Sequence, residues 1–263
     1  MITKFPLSDI LPVGACEFSR VLPLLECRAK SRLPQNAKSV ITYLFPYYLG
    51  EDSYKELNIS KYADSEDYHT IAGMYLQKAV DELKESYPHN EFVYFCDNSP
   101  IRERDAAMLC GLGVKGRNGL LINEKYGSFC FIGEIVTDAI VKYSMPEDRT
   151  CLNCGACERN CPNGALHSFK VDISKCLSDV TQRKKITDDE ALLIKEKGSI
   201  WGCDRCQDIC PMNKNVKVTP IKEFIDTARP MYKNGDSIEG RAYAWRGESV
   251  IKRNFEIKYC NKR

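Results

Sequence analysis

The stretch CLNCGACERNCP, residues 151–162, decides the fold of the second half of this chain. Its spacing is Cys-x2-Cys-x2-Cys-x3-Cys-Pro, which is typical of proteins that hold two 4Fe-4S clusters and in which the fourth cysteine binds the other cluster. Three thiolates on a tight loop can bind three corners of one cube, so the fourth ligand has to come from elsewhere. Pro162 fixes φ and lacks a backbone N–H, which turns the chain away from the cluster.

A second run, CDRCQDICP at residues 203–211, repeats this signature with its first cysteine displaced to Cys176. Together the two runs supply eight thiolates, enough for two sites with four ligands each. The exchange of fourth ligands assigns Cys151, Cys154, Cys157 and Cys210 to cluster one, and Cys161, Cys176, Cys203 and Cys206 to cluster two. A protein with two such clusters transfers electrons one at a time.

Zinc binding and disulfide bonding are the alternative interpretations of these cysteines. Zinc sites usually take four cysteines in two pairs, and disulfides require an oxidising compartment. The interleaved runs that end in Cys-Pro favour clusters over both alternatives. Six further cysteines have no ligand spacing, and we expect free thiols at Cys16, Cys27, Cys96, Cys110, Cys130 and Cys260.

The length and composition indicate a globular protein of one or two domains, since the chain has 263 residues and a formal net charge of +2. Residues 1–12 contain no basic segment followed by an apolar run, so no signal peptide is expected. The most apolar stretch, residues 128–141, is short and carries Glu134 and Asp138, so no membrane span is expected. We therefore expect a cytoplasmic location.

The charge is unevenly distributed along the chain. Residues 211–263 contain twelve Lys and Arg against six Asp and Glu. Such a basic segment can contact the phosphates of a nucleic acid. A solvated surface segment is the alternative, and charge alone favours it.

Hydrophobic periodicity predicts a mixed α/β region before the cluster motif. We expect strands at residues 39–45 and 91–95, helices at 68–87 and 101–110, and a paired strand set formed by 119–122 and 128–133 around the turn at 124–127. The stretch 177–197 is expected to be rich in helix. We divide the chain into a first domain at residues 1–145, a cluster domain at 146–215 and a basic C-terminal segment at 216–263.

Several blocks of sequence resemble a known family. They are the cluster region with residues 175–181 and 201–211, the segment 59–63, the tyrosine–histidine segment 67–69, the segment 96–100, and the blocks 110–118 and 127–137. In this order they resemble the epoxyqueuosine reductase family, corrinoid iron–sulfur enzymes that complete queuosine in tRNA. The resemblance covers residues 37–215.

This resemblance implies an α+β protein in which a nitroreductase-like α/β domain binds a corrinoid and a ferredoxin-like domain with two clusters follows. The implied cofactors are two 4Fe-4S clusters and base-off cobalamin. Asp97 matches the position of the proton donor. Ser178 and Asp204 match positions that face the corrinoid, and the backbone at Leu121 and Ile132 matches positions that contact it.

Asp97 can be interpreted in two ways. As a proton donor at neutral pH it has to be protonated, and burial against the corrinoid is expected to raise its pKa. Alternatively, it is an N-terminal cap of the helix expected after Pro100. His69 either lines the corrinoid site or the substrate entrance, or it is an ordinary histidine at the start of a helix. Glycines 111, 113 and 116 allow the backbone to approach the corrinoid or form a simple turn.

The implied function is the reduction of epoxyqueuosine to queuosine in tRNA, with tRNA bound through the basic C-terminal segment. An external electron donor of the flavodoxin or ferredoxin type is the implied redox partner. Two alternatives remain open from the sequence. One is a corrinoid-dependent reductase of a small molecule, and the other is a ferredoxin-like electron carrier without a corrinoid.

Overall fold

The computed structural model describes residues 1–260, and the chain divides into two compact units. The first unit comprises Met1–Pro46, Tyr68–Lys115 and Leu121–Thr150, and the second comprises Tyr47–Asp67, Gly116–Leu120 and Cys151–Arg263. The three-part division at residues 145 and 215 stays a prediction, and the compact units group the chain differently. The last three residues of the basic segment, 261–263, lie outside the described residues.

The first unit is built on a four-stranded antiparallel sheet. Its strands are β1 (Val13–Glu17), β2 (Ser39–Pro46), β3 (Phe92–Cys96) and β6 (Cys130–Thr137), and a separate pair consists of β4 (Val114–Lys115) and β5 (Leu121–Ile122). The spatial order of the large sheet is β1-β2-β6-β3. All eight residues of β2 are buried, which agrees with its run of β-branched and aromatic side chains.

Two helices cover the two faces of this sheet. They are α1 (Tyr68–Ser86) and α2 (Glu103–Leu109). Leu76 of α1 packs on Gly133 of β6, where a β-carbon would lie only 2.7 Å from Leu76 Cδ1. Ala106 and Ala107 of α2 share a core with Ile132 and its neighbours on the opposite face. This arrangement follows from the alternation of side chains along β6.

The predicted strands and helices of this region are confirmed, but one strand pairing is wrong. β5 pairs with β4, and β6 pairs with β2 and β3 instead of with residues 119–122. The turn itself is closed by an isolated bridge between Asn123 and Gly127. Because β6 is eight residues long and largely buried, its backbone hydrogen bonds need long partner strands, and a two-residue strand cannot supply them.

The second unit is mostly helical and has many short elements. They are α3 (Ala156–Arg159), β7 (Leu166–His167), β8 (Lys170–Val171), α4 (Leu177–Gln182), α5 (Asp188–Lys197), α6 (Arg205–Asp208), α7 (Lys222–Asp226) and α8 (Glu248–Tyr259). Short 3-10 turns of this unit lie at Glu51–Tyr54, Lys61–Ala63, Ile173–Lys175, Pro211–Asn213 and Ala244–Arg246. Those at Phe18–Val21 and Arg28–Arg32 belong to the first unit. The predicted helix content of residues 177–197 is confirmed by α4 and α5.

Helix α8 packs against α4 and α5, and one buried side chain connects it to the rest of the unit. Asn254 Nδ2 donates to the carbonyl oxygens of Thr181 at 2.7 Å and Ile200 at 2.8 Å. Asn254 is fully buried, so water cannot replace these hydrogen bonds. The first half of the basic segment and the helix that ends it are therefore part of the compact second unit.

The mixture of helices with antiparallel sheet is the α+β class that the sequence predicts. Within residues 1–260, none of the helices is long and apolar enough to cross a membrane.

Replacing Asn254 by Ala should destabilise the second unit. The change leaves two buried carbonyl groups without this donor, and we expect a loss of about 2 to 3 kcal/mol in the free energy of unfolding. Chemical denaturation followed by circular dichroism measures it. The exposed neighbour in α8 provides the control, since Lys252→Ala should change the free energy by less than about 0.5 kcal/mol. Equal effects of the two substitutions would contradict the structural role of Asn254.

Candidate functional site

Asp97 lies in a strained turn directly after strand β3. Its φ is +56° and that of Asn98 is +43°, and L-residues rarely adopt this left-handed conformation. The Asn98 N–H donates to Asp97 Oδ1 at 2.8 Å, which stabilises the turn. Two consecutive residues in such a conformation are uncommon and are often found at functional sites.

The first turn of α1 supplies two polar partners for this carboxyl. The Tyr68 hydroxyl donates to Asp97 Oδ2 at 3.2 Å, and His69 Nε2 lies 3.4 Å from the same oxygen. The Tyr68 ring stacks on Phe131 of β6 with 4.1 Å between the ring centroids. Stacking fixes the orientation of Tyr68 and therefore the direction of its hydroxyl.

These contacts keep Asp97 ionised. The hydrogen bond from His69 lowers the pKa of Asp97 to about 2, and the Asn98 N–H and the Tyr68 hydroxyl act in the same direction against the effect of partial burial. The rise of this pKa that is expected on burial against a corrinoid stays a prediction, and without such burial 60% of the Asp97 side chain is exposed. The alternative role as a helix cap is wrong, because α2 begins only at Glu103 and its N-cap is Arg102.

A cavity of about 630 Å³ opens beside Asp97 within the first unit. It is lined by Leu25, Glu26, Cys27, Asp97, Asn98, Ser99, Ile101, Arg102, Glu103, Arg104 and Asp105. Its walls thus come from the turn after β3, from the start of α2 and from residues 25–27. The sequence analysis did not identify Ser99 and Glu103 as functional residues.

In the second unit, the two cysteine runs fold in the same way. Each run continues into a single helical turn, and a glycine with positive φ lies at Gly155 within the first run and at Gly202 just before the second. Cys157 lies in the helical turn α3 and Cys206 in α6, and α3 packs against α6. The sequence repeat is therefore also a structural repeat.

The thiols predicted for cluster one are electrostatic neighbours. Burial raises the pKa of Cys210, and the nearby thiols of Cys151 and Cys154 raise it further. Burial likewise raises the pKa of Cys157, to which Cys210 contributes. Cys210 is the ligand that the crossing of the two runs assigns to the first run, and its position supports that assignment.

Three of the four thiols predicted for cluster two are also neighbours. Burial raises the pKa of Cys203 to about 11, with contributions from Asp204 and Cys176. Burial also raises the pKa of Cys206 strongly, with contributions from Cys203 and Cys176. The sulfur of Cys161 accepts a hydrogen bond from the Ala165 N–H at 3.2 Å, and its assignment to cluster two stays a prediction.

This arrangement suits clusters better than single ions. Within residues 1–260, no three His, Cys, Asp or Glu side chains are placed to hold one metal ion. A cube-shaped cluster binds each cysteine at a different iron atom, so its ligands do not have to converge on one point. Because burial favours the neutral thiols, binding of the clusters has to displace protons from them.

Arg117 holds the loop of the first cysteine run, and the sequence analysis missed it. Its Nε lies 2.7 Å from Glu158 Oε1, and its Nη1 donates to Asn153 Oδ1 at 2.6 Å. Both partners lie between or beside the cysteines of cluster one. Block 110–118 was identified from its glycines. The basic side chain of Arg117 within it was the signal that could have indicated a role in holding the cysteine loop.

The residues predicted to contact a corrinoid are distributed over both units. Asp204 is buried and accepts hydrogen bonds from the Ser60 hydroxyl at 2.5 Å and the Lys61 N–H at 2.8 Å, so its carboxylate already has protein partners. Ser178 is half-buried at the start of α4. Leu121 and Ile132 are buried in the first unit. Their contacts with a corrinoid stay predictions.

Comparison with family models identifies two matching regions. Residues 150–213 match a "4Fe-4S double cluster binding domain", and residues 28–98 match "Epoxyqueuosine reductase QueG, DUF1730".

Among curated proteins, the epoxyqueuosine reductase of Cyclobacterium marinum is 38% identical over 202 residues, which cover 75% of this chain and 65% of that protein. The epoxyqueuosine reductase of Synechocystis sp. is 34% identical over 198 residues, which cover 72% of this chain and 68% of that protein. For the Escherichia coli protein the covered share falls to 50%. The chain thus spans between one half and about two thirds of the curated relatives it matches.

Two solved structures show the same fold. Epoxyqueuosine reductase with a tRNA-Tyr epoxyqueuosine-modified tRNA stem loop superposes with a TM-score of 0.78 at 21% identity, covering 95% of this chain and 77% of that one. A reductive dehalogenase, described with a mechanism for B12-dependent dehalogenation, has a TM-score of 0.53 at 17% identity and covers 94% and 35%. These likenesses and the double-cluster match confirm the predicted α+β fold class.

Replacing His69 by Ala should raise the pKa of Asp97 from about 2 toward the ordinary aspartate value of about 4. The reason is the loss of the strongest hydrogen bond to the carboxylate. NMR titration of the Asp97 side chain measures this change. Tyr68→Phe removes a weaker partner and should shift the pKa less in the same direction. An unchanged pKa in His69→Ala would show that His69 does not hold the carboxylate.

Substituting Cys210 and Cys206 separately should remove different clusters. Cys210→Ser should remove the same cluster as Cys154→Ser, whereas Cys206→Ser should remove the other one, because the two runs exchange their fourth ligands. Iron analysis should show about half of the iron in each variant, and paramagnetic resonance identifies the remaining cluster. Cys260→Ser, outside both ligand sets, is the control. Identical residual spectra for Cys210→Ser and Cys206→Ser would contradict the assignment.

Proposed function

The chain belongs to the epoxyqueuosine reductase family, and on that premise we propose that it reduces epoxyqueuosine to queuosine in tRNA. The observation that carries the proposal is the Asp97 carboxyl, held in a strained turn by Tyr68 and His69 and still open to a substrate. A ferredoxin-like electron carrier needs no such group. The same chain also contains the double-cluster domain that can supply electrons.

The proposed cofactors are two 4Fe-4S clusters and cobalamin. The eight cysteines of the two runs hold the clusters, and Asp97, Leu121, Ile132, Ser178 and Asp204 are the proposed contacts of the corrinoid. Because the Asp97 side chain is exposed, a cofactor and a substrate can reach it without entering the core of the first unit. When bound, cobalamin would supply a redox-active cobalt centre for the electrons that the clusters deliver.

The role of the protein is to supply protons at a fixed place. Removing an epoxide oxygen as water consumes two electrons and two protons. Asp97 is ionised in the structure, and the proposed proton source is His69 Nε2, which lies 3.4 Å from Asp97 Oδ2. A substrate that covers the exposed carboxylate removes water from it and raises its pKa, so that a proton moves onto Oδ2. Asp97 then donates that proton to the departing oxygen.

We propose that the basic C-terminal segment contributes to tRNA binding and that only some of its cations contact phosphates. Arg241, Arg253 and Lys258 donate hydrogen bonds to backbone carbonyl groups of the second unit. These three cations therefore stabilise the fold and are not available to phosphates. Within its described residues, 216–260, the exposed cations of the segment are Lys217, Lys222, Arg229, Lys233 and Lys252. The same segment carries Trp245, which is 63% exposed.

The proposed electron donor is a small redox protein of the flavodoxin or ferredoxin type. Support comes from the exposure of the first cysteine run, in which Cys154 is exposed and Leu152 is 64% exposed. An exposed apolar residue beside a cluster ligand offers a donor both a contact and a short path for electrons. A substrate in tRNA also implies a cytoplasmic location.

The experiment that tests this function is mass analysis of tRNA from a host that lacks its own reductase and carries this gene. We expect epoxyqueuosine to disappear and queuosine to appear. Asp97→Asn should retain both clusters but convert at least about 100-fold less tRNA, since a positioned acid contributes at least that factor. The exposed Glu124→Gln is the matched control and should be fully active. Unchanged epoxyqueuosine with the wild-type gene, or full conversion by Asp97→Asn, would refute the proposal.

A further inference from the structure

Glu134 is an acid in the middle of an apolar core. It lies in β6 opposite Thr42 of β2 and Phe95 of β3, and its exposed fraction is 0%. The alternation of side chains places it on the same face as Ile132, under α2. A carboxyl group at such a position is costly unless it is neutral or well paired.

The hydrogen bonding of Glu134 is incomplete. Its Oε2 lies 2.5 Å from the Ser99 hydroxyl, and its buried Oε1 has no hydrogen-bond partner within residues 1–260. Burial raises the pKa of Glu134 to about 8, and the nearby charge of Glu103 adds to this effect. At neutral pH the side chain therefore carries a proton. The thiols of Cys16 and Cys110 also face it, and neither is a cation.

Ser99 connects this buried acid with the cavity beside Asp97. Its Oγ accepts a hydrogen bond from the Ile101 N–H at 3.1 Å, and Ser99 lines the cavity. A hydroxyl group has one donor and two acceptor positions. In the structure this hydroxyl donates to Glu134 Oε2, but a hydroxyl group can rotate. When Glu134 is protonated, Ser99 can accept that proton while it donates its own into the cavity. The cavity is large enough for water, which needs about 30 Å³ per molecule.

Glu103 is a second acid in the wall of the same cavity. It is half-buried in the first turn of α2 and interacts electrostatically with Asp97, His69 and Arg104. Burial, followed by the negative charge of Asp97, raises the pKa of Glu103 to about 7. Unlike Asp97, this group exchanges protons near neutral pH, and it interacts electrostatically with Glu134.

We propose that Glu134, Ser99 and Glu103 form a proton store that reloads Asp97 during turnover. The proposal rests on the proposed function, in which Asp97, loaded by His69 for the first turnover, gives up its proton and has to be reloaded before each later one. Glu134 passes its proton to Ser99 Oγ as the Ser99 hydroxyl proton moves through water in the cavity to Asp97. Glu134 is left as a carboxylate and regains a proton from solvent through Glu103. These three are positioning residues, because they act through Asp97.

The charge state of Glu134 can be measured without cofactors. Infrared titration of the cluster-free protein should show a protonated carboxyl band that persists at pH 7 and disappears near pH 8. The component of the band that disappears near pH 8 should be absent in Glu134→Gln and unchanged in Glu124→Gln, whereas Glu103 contributes a component that titrates near pH 7. A wild-type protein without this band at pH 7 would overturn the proposal, because there would be no stored proton.

The relay itself is tested by comparing the first turnover with later ones. In Glu134→Gln and Ser99→Ala we expect a first turnover within about twofold of wild type and a steady-state rate lower by about tenfold or more. Ser99→Thr keeps the hydroxyl group and should restore the steady-state rate. A larger solvent deuterium isotope effect on the steady state should accompany the loss. A purely structural role of Glu134 would slow both phases equally, and that result would overturn the relay.

Failure of the relay and failure of the proposed function give different results. If Asp97→Asn remains active, Asp97 is not the donor and the proposed mechanism is wrong. If Asp97→Asn is inactive but Glu134→Gln has the wild-type steady-state rate and pH profile, only the proton store is wrong. Thermal unfolding of each variant shows that the fold is intact before the rates are compared.

Discussion

The contact between His69 Nε2 and Asp97 Oδ2, at 3.4 Å, controls the charge of the carboxyl on which the proposed chemistry depends. It combines with the strained turn after β3 to give a fixed, ionised and exposed acid. A carboxylate of this kind receives a proton only when its surroundings change. In the proposed function, binding of a substrate changes them by removing water, which couples binding to proton transfer. The buried Glu134 and the half-buried Glu103 are proposed to supply protons to the same site.

The second unit has the complementary task of handling electrons. Its predicted organising constraint is that each cysteine run, the second one with Cys176, supplies three ligands to one cluster and one to the other. Because each predicted cluster needs ligands from both runs, both runs have to be held in place. Polar contacts between side chains hold the short elements of this unit. Arg117 pairs with Glu158 beside Cys157, and Lys61 lies 2.6 Å from Asp208 beside Cys210. These ion pairs thus stabilise the cysteine-containing loops, which the thiols alone do not hold in place.

Local patterns predicted a large part of this molecule. The cysteine spacing indicated two clusters, and the periodicity of residues 68–87 indicated α1, because both signals lie within short stretches. The pairing of β6 could not be predicted, since the alternation of its side chains does not say which distant strand lies beside it. The low pKa of Asp97 was also missed, because its cause is a histidine on another element. The same is true of the raised pKa of Glu134, which results from burial in the sheet and from the charge of Glu103 on another element.

The central claim is that a corrinoid connects the clusters with the substrate that Asp97 protonates. Paramagnetic resonance of cob(II)alamin mixed with the cluster-loaded protein tests this claim most directly. The account predicts a change to the spectrum of base-off, four-coordinate cobalt, since the chain is proposed to bind cobalamin without a lower ligand. A spectrum identical to that of free cob(II)alamin, at a protein concentration above that of the corrinoid, would contradict it.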